Sequence, residues 1–292
     1  MNFKILFLII PLFLVSCNRS NNIPAEQSSP TSGSLIIGVD ESLEPFAEAE
    51  IKSFKNLYPQ SDIKAMYLPE KDVIEKLKSN QIQTGIICRE LNFGEIKAIQ
   101  DSFNLFPSMV KLATDAIVMA VNETNKTTTI SNVELIKILS GKISTWDQLA
   151  HGLKVKKPIV VVTTKASSIN RYASYLNDTV GLVNSFALDS TAQVIDYIRK
   201  NPYSLGILGG SWFFQKGDKY SDIKIVPYLS NDENDQDEST LNRDVFVVTQ
   251  EPFNGLAYGF IAFMGSQKGQ LIISKAGMTP YRAIYREIEL SN

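Results

Sequence analysis

Short apolar runs that alternate with stretches of helical apolar spacing constrain this chain more than any other feature. Residues 34–39 (SLIIGV) read as a strand buried on both faces. Leu43, Phe46, Ala47, Ile51, Phe54 and Tyr58 then recur along one helix face. Residues 62–68 are strand-like, Val73, Ile74 and Leu77 mark a second helix, and residues 84–88 (TGIIC) form a short strand before helical residues 93–100. Strands that are apolar throughout, separated by helices, predict a mostly parallel sheet covered on both faces, an α/β fold. The theme then repeats, with strands at 115–121 (DAIVMAV), 158–163 (PIVVVT), 204–210, 223–228 and 243–249 (RDVFVVT). Helices are predicted at 132–139, from 170 to 176, at 191–200 and through the tail from Gly255, and Thr145-Trp146-Asp147-Gln148 has the spacing of a capping box.

Two such sets without a Pro/Gly-rich linker predict two lobes joined by strands. Residues 115–121 going out and 243–249 coming back are the crossing points. They divide the chain into lobe 1, residues 34–116 with 248–292, and lobe 2, residues 117–247. Two crossover strands make a hinge, and hinged lobes suit closure around a ligand.

The N-terminal residues predict export. Lys4 precedes an apolar run over residues 5–15, broken only by Pro11 and too short to span a bilayer comfortably, which reads as the core of a signal peptide covering residues 1–16. The run ends in Leu14-Val15-Ser16-Cys17, which resembles a bacterial lipobox and makes Cys17 the expected lipidation site; an ordinary signal peptide with a chance Cys is the alternative. Residues 17–33, rich in Asn, Ser, Pro and Gln, are expected to form a disordered tether, placing the protein at the cell envelope on the periplasmic or cell-surface side. With Cys17 carrying lipid, Cys88 has no partner for a disulfide, and its apolar surroundings make it a small buried hydrophobe.

Lysines and arginines (29) nearly balance aspartates and glutamates (31), and no basic block occurs, which excludes nucleic acid as a partner. His151 is the only histidine. H-E-x-x-H, G-x-S-x-G, P-loop and G-x-G-x-x-G motifs are all missing, so no enzyme, cofactor or metal centre is expected. Residues 231–240 form an acidic, solvated loop without EF-hand spacing.

Several segments resemble the PstS-like phosphate-binding component of ABC importers, within the type II periplasmic-binding-protein fold. They are residues 115–122 (DAIVMAVN), residues 135–149 (LIKILSGKISTWDQL), Asn201-Pro202 followed by Leu205-Gly206-Ile207, and the C-terminal pattern from Gly255-Leu256-Ala257 to Ala276-Gly277 and Pro280. The resemblance implies a two-lobed solute-binding protein that captures a small oxyanion, phosphate first, in the inter-lobe cleft for the membrane subunits of an ABC importer; the alternatives are a same-fold lipoprotein binding a different small ligand and a surface interaction protein with a non-functional cleft. It also implies that three strand-to-helix loops face the cleft. These carry Ser42, Arg89, and the group Ser168, Asn170 and Arg171. Helix N-termini there offer N–H donors and arginine offers a two-pronged charge. Each residue has a plainer reading beside this one: Ser42 as a helix cap, Arg89 as a partner for a nearby acid. The third loop keeps Ser168 and Arg171 but has Ile169 and Asn170 where the family has Gly and Thr, and its upstream Arg is replaced by Thr164 or Lys165. Asp40, Glu41 and Glu44 crowd the first loop. They either complement a helix dipole or face the cleft, where they oppose a dianion.

Overall fold

The computed structural model describes residues 28–103, 105–165, 168–169, 184–214, 220–229, 241–251 and 254–282. The signal peptide with Cys17, the positions Asn170 and Arg171, and the acidic loop 231–240 therefore lie outside the described residues. In chain order the strands are β1 (Gly33–Asp40), β2 (Ser61–Leu68), β3 (Thr84–Ile87), β4 (Ser108–Asn122), β5 (Ile130–Ser131), β6 (Val160–Thr164), β7 (Ser185–Leu188), β8 (Ser204–Gly209), β9 (Ile223–Val226), β10 (Tyr228–Leu229), β11 (Leu241–Thr249) and β12 (Thr279–Pro280). The described helices are α1 (Glu44–Leu57), α2 (Glu70–Lys78), α3 (Phe93–Phe103), α4 (Asn132–Leu139), α5 (Thr191–Lys200), α6 (Ser211–Phe214), α7 (Leu256–Met264) and α8 (Gln267–Lys275).

One sheet runs through the molecule in the order β2-β1-β3-β11-β4-β8-β6-β7. On one side β1 is parallel to β2 and β3, and on the other β6 is parallel to β7 and β8. Between them lies the antiparallel pair β11–β4, whose register sets Arg243 opposite Asp115. The first half of β4 pairs with β11, and residues from Ile117 onward pair with β8 and β9, so this strand carries the chain from one half to the other.

Two principal cores follow from this arrangement. The first takes Ile37 and Val39 from β1, Phe46 and Phe54 from α1, and Leu256, Phe260 and Met264 from α7, so it needs both ends of the described chain. Phe54 packs edge-on against Phe260 and Phe263, with ring centroids 5.3 and 5.4 Å away. The second takes Ile117, Met119 and Val121 from β4, Leu135 and Leu139 from α4, and Leu205 and Ile207 from β8 around the buried Trp146, whose indole N–H donates to Tyr203 O at 2.9 Å. The expected capping box forms around this Trp, through Thr145 and Gln148.

Three local departures have simple causes. The run expected as one strand over 223–228 is divided, because Pro227 has no N–H for the ladder; β10 beyond it pairs with β5 instead. The tail is helical only to Lys275: Gly277 at φ 73° turns the chain and β12 adds to β4. Residues 28–33, at the end of the segment expected as a tether, pack on the fold: Leu256 N donates to Ser28 Oγ at 3.1 Å, and Pro30 O lies where a Cβ on Gly259 would be.

Candidate functional site

The ends of β1 and β6 come together beside the β11–β4 pair, where apolar strands give way to buried polar side chains. Asp40, the last residue of β1, is fully buried. Its Oδ1 accepts from Ser42 N at 2.9 Å and from Ser42 Oγ at 2.5 Å, and its Oδ2 accepts from Ser168 N at 3.4 Å. The cap of the first turn is thus Asp40 and not Ser42: a carboxylate at the strand end reaches the N–H two residues on and also takes the Ser42 hydroxyl proton.

Arg243 enters from β11 and is 1% exposed. Its Nε and Nη2 donate to Asp115 Oδ2 at 3.0 and 2.6 Å. Its Nη1 donates to Ser42 Oγ at 2.8 Å and also to Ser168 Oγ. Burial works against the Arg243 cation, and its acidic neighbours, Asp115 and Asp40 among them, more than offset this and raise its pKa. Burial likewise raises the pKa of Asp115 against the opposing pull of Arg243 and of Ser211 N–H, which donates to Asp115 Oδ1 at 3.1 Å. Gly209 is required beside this pair, because a Cβ there would run into Arg243 Nη2 and Asp115 Oδ2.

Glu41 makes a second connection. Its carboxylate accepts from Thr191 N at 2.9 Å and from Thr191 Oγ1 at 3.2 Å, so a side chain following β1 caps the first turn of α5 across the molecule. Burial, with a smaller contribution from the charge of Asp40, pushes the Glu41 carboxyl up to about 7. Of the three acids crowding the first loop, Asp40 and Glu41 face the junction, whereas Glu44 stays in the first turn of α1.

The structure brings Ser42 and Ser168 together around Arg243, with Arg89 beside them and engaged by acids. Both Nη atoms of Arg89 donate to Glu95 at 2.7 Å, Nη1 also reaches Glu90 O at 2.9 Å, and Nε lies 3.6 Å from Glu70 Oε2. This is the acid-pairing reading of Arg89, and the proximity of Glu95 in the first turn of α3 explains it. Asn170 and Arg171 fall outside the described residues. His151 is exposed, and Cys88 is buried as expected.

Ligand atoms of Asp40, Glu70 and Cys88 lie within 4.8 Å of one another. Cys88 N donates to Glu70 at 2.8 Å, Asp40 already receives three donors, and burial pushes the Cys88 thiol well up, so it stays protonated. Both carboxylates of this group are thus already engaged by protein donors.

Sequence reasoning missed Arg243, Asp115 and Thr191 as site residues. A signal existed for the first two, since each opens an otherwise apolar run proposed as a crossing strand. What the arrangement offers chemically is a buried guanidinium paired with Asp115 beside two serine hydroxyls, groups of the kind that hold an oxyanion.

Comparisons with known proteins bear on the fold and the family. A model described as a PBP superfamily domain matches residues 24–268. The phosphate-binding protein PstS of Bacillus subtilis is 27% identical over 199 residues, covering 66% of this chain and 63% of that protein, so the chain spans just under two thirds of that relative. A Clostridium perfringens structure solved with bound phosphate superposes with a TM-score of 0.72 at 21% identity, covering 86% of this chain and all (100%) of that one. An ABC-type phosphate transport receptor from Vibrio cholerae gives 0.60 at 18% identity, covering 85% of this chain and 100% of its own.

Proposed function

Because this chain belongs to the PBP superfamily, we propose that it is an extracytoplasmic solute receptor that takes a small oxyanion, inorganic phosphate first, and presents it to the membrane subunits of an ABC importer. The observation that carries this reading is the meeting of the Ser42 hydroxyl, the Ser168 hydroxyl and the Arg243 guanidinium at one buried point between the two halves of the sheet. The phosphate-binding relatives support the choice of ligand. Asn170 and Arg171, which follow Ser168 after Ile169, complete the donor set in this proposal, while Arg89, engaged by Glu95, adds positive potential at the edge. The lobes would be residues 34–116 with 248–292 and residues 117–247, although Val245 and Val247 of β11 pack in the first core. The protein acts as a receptor and not as a catalyst: capture and release, with closure about β4 and β11, are its whole chemistry.

Calorimetry of the lipid-free protein against phosphate and sulfate tests the ligand. Heat with phosphate at micromolar to millimolar concentration is expected, and its absence at millimolar phosphate sinks the oxyanion reading while leaving the fold. Anchoring at Cys17 is the finer part of the proposal. Cys17→Ser should move the protein from the membrane fraction to the soluble fraction or leave it unprocessed; an unsubstituted protein already soluble without detergent refutes the anchor.

A further inference from the structure

Resting on the oxyanion reading above, we propose that the Asp40 carboxylate is a built-in stand-in for the ligand's oxyanion, which holds the two halves of the site together and has to be displaced when an anion binds. The donors it collects are those an oxyanion would need. They are the N–H and hydroxyl of Ser42 from the β1 side, at 2.9 and 2.5 Å, and the N–H of Ser168 from the β6 side, at 3.4 Å. Arg243 Nη1 donates to the hydroxyls of the same two serines, so the Ser42 hydroxyl bridges cation and carboxylate, and on the other side Ser168 meets Asp40 through its N–H and Arg243 through its hydroxyl. Two oxygens of one carboxylate thus span the junction between the lobes, with a cation behind the same donors.

Charge favours this assignment over a simple helix cap. A cap has to satisfy one N–H of its own turn, and Ser42 N does that. The contact with Ser168, 128 residues away, does nothing for the turn and ties the two halves instead. With Asp40 in place the Arg243 cation faces Asp115 and Asp40 together, and Glu41 lies one residue on and is itself engaged at Thr191. Glu70 approaches from α2. An arriving dianion therefore meets a carboxylate among the donors it needs, and at such separations like charges repel strongly enough to dominate the affinity. Asp40 in this way sets both how tightly an anion binds and whether the lobes close without one.

Solution scattering and calorimetry on the full chain, using inorganic phosphate as the probe, test the proposal with wild type, Asp40→Ala and Asp40→Asn. Wild type without phosphate should be compact. Asp40→Ala should be measurably larger without phosphate, shrink on its addition, and bind it at least tenfold more tightly than wild type. Asp40→Asn keeps an acceptor for Ser42 and loses only the charge, so it should fold as wild type does and also bind phosphate more tightly. Equal dimensions of wild type and Asp40→Ala without phosphate overturn the proposal. So does a weaker phosphate affinity in both variants, which leaves the oxyanion reading intact. An Asp40→Ala protein that opens and then ignores phosphate supports the stand-in and instead removes phosphate as the ligand. Should Asp40→Ala fail to fold, the affinity of Asp40→Asn decides: tighter supports the proposal, unchanged or weaker overturns it.

Discussion

Glu50 lies on α1 with its carboxylate fully buried, and neither oxygen has a hydrogen-bond partner among the described residues. Burial pushes this carboxyl up to about 9, from an ordinary 4.5, so at neutral pH the folded protein holds a proton that the unfolded chain has released. The sign follows from proton linkage. A pKa raised on folding contributes stability fully present below about pH 4.5, and that contribution is lost progressively as pH rises toward 9. At roughly 1.36 kcal/mol per unit, the fold has given up about 3 kcal/mol by pH 7 and somewhat more by pH 8; relaxation around the site makes these upper values. Glu50→Gln keeps the shape and the neutral character of the protonated acid and removes the titration. The variant should match wild type near pH 5 and exceed it by about 2–4 kcal/mol near pH 8. At about 2–4 °C per kcal/mol, Tm should rise by roughly 5–15 °C there. Thermal melts of both proteins at pH 5, 6, 7 and 8 read the effect. A Tm difference that stays constant across this range would refute a neutral buried Glu50.

Other changes follow from the site. Arg243→Ala leaves Asp115 buried without its cation and should cost about 3–5 kcal/mol in urea denaturation, with loss of phosphate binding; Arg243→Lys should rescue little of either, because an ammonium cannot serve Asp115 and two serines at once. Gly209→Ala forces a Cβ into the same ion pair and should lower both Tm and phosphate affinity. Glu41, raised to about 7, stabilises the junction fully below pH 4.5 and progressively less as pH rises to 7, so Glu41→Gln should flatten the dependence of Tm between pH 5 and 8. Trp146→Ala should cost about 3–5 kcal/mol by removing the largest side chain of the second core, measured by chemical denaturation.

The features legible in the sequence were those whose causes are local. Helix 132–139 and helix 191–200 were placed to the residue, because Ser131 with Glu134 and Ser190 with Gln193 supply their caps within a few positions. The alternation of buried strands and helices gave the α/β layering for the same reason. The site divides along the same line. Ser42 and Ser168 sit at loop positions that the strand-helix pattern marks, and they do meet. Arg243 and Asp115 are 128 positions apart, and nothing short of the β11–β4 register says that these two charges face each other. Arg89 has local acids as well: Glu95, six positions on, takes both of its Nη atoms, and its Nε faces Glu70. For the Ser42 turn the sequence offered two oxygens, and the carboxylate of Asp40, the stronger acceptor, became the cap.

The sharing of the first core between the two ends of the chain has a kinetic consequence. Contacts of the second core lie between residues 117 and 228, apart from Leu241 at its margin, so that half can condense while the rest of the chain is still being made. The first half cannot. Its Ile37, Val39 and Phe54 wait for Val245, Leu256 and Phe260, and until β11 arrives the flank of β3 exposes an unpaired row of N–H and C=O groups. A nascent chain halted before Leu241 should therefore carry one finished half and one open, strand-pairing edge. That makes it a substrate for holding chaperones and a source of aggregation, whatever the stability of the completed protein.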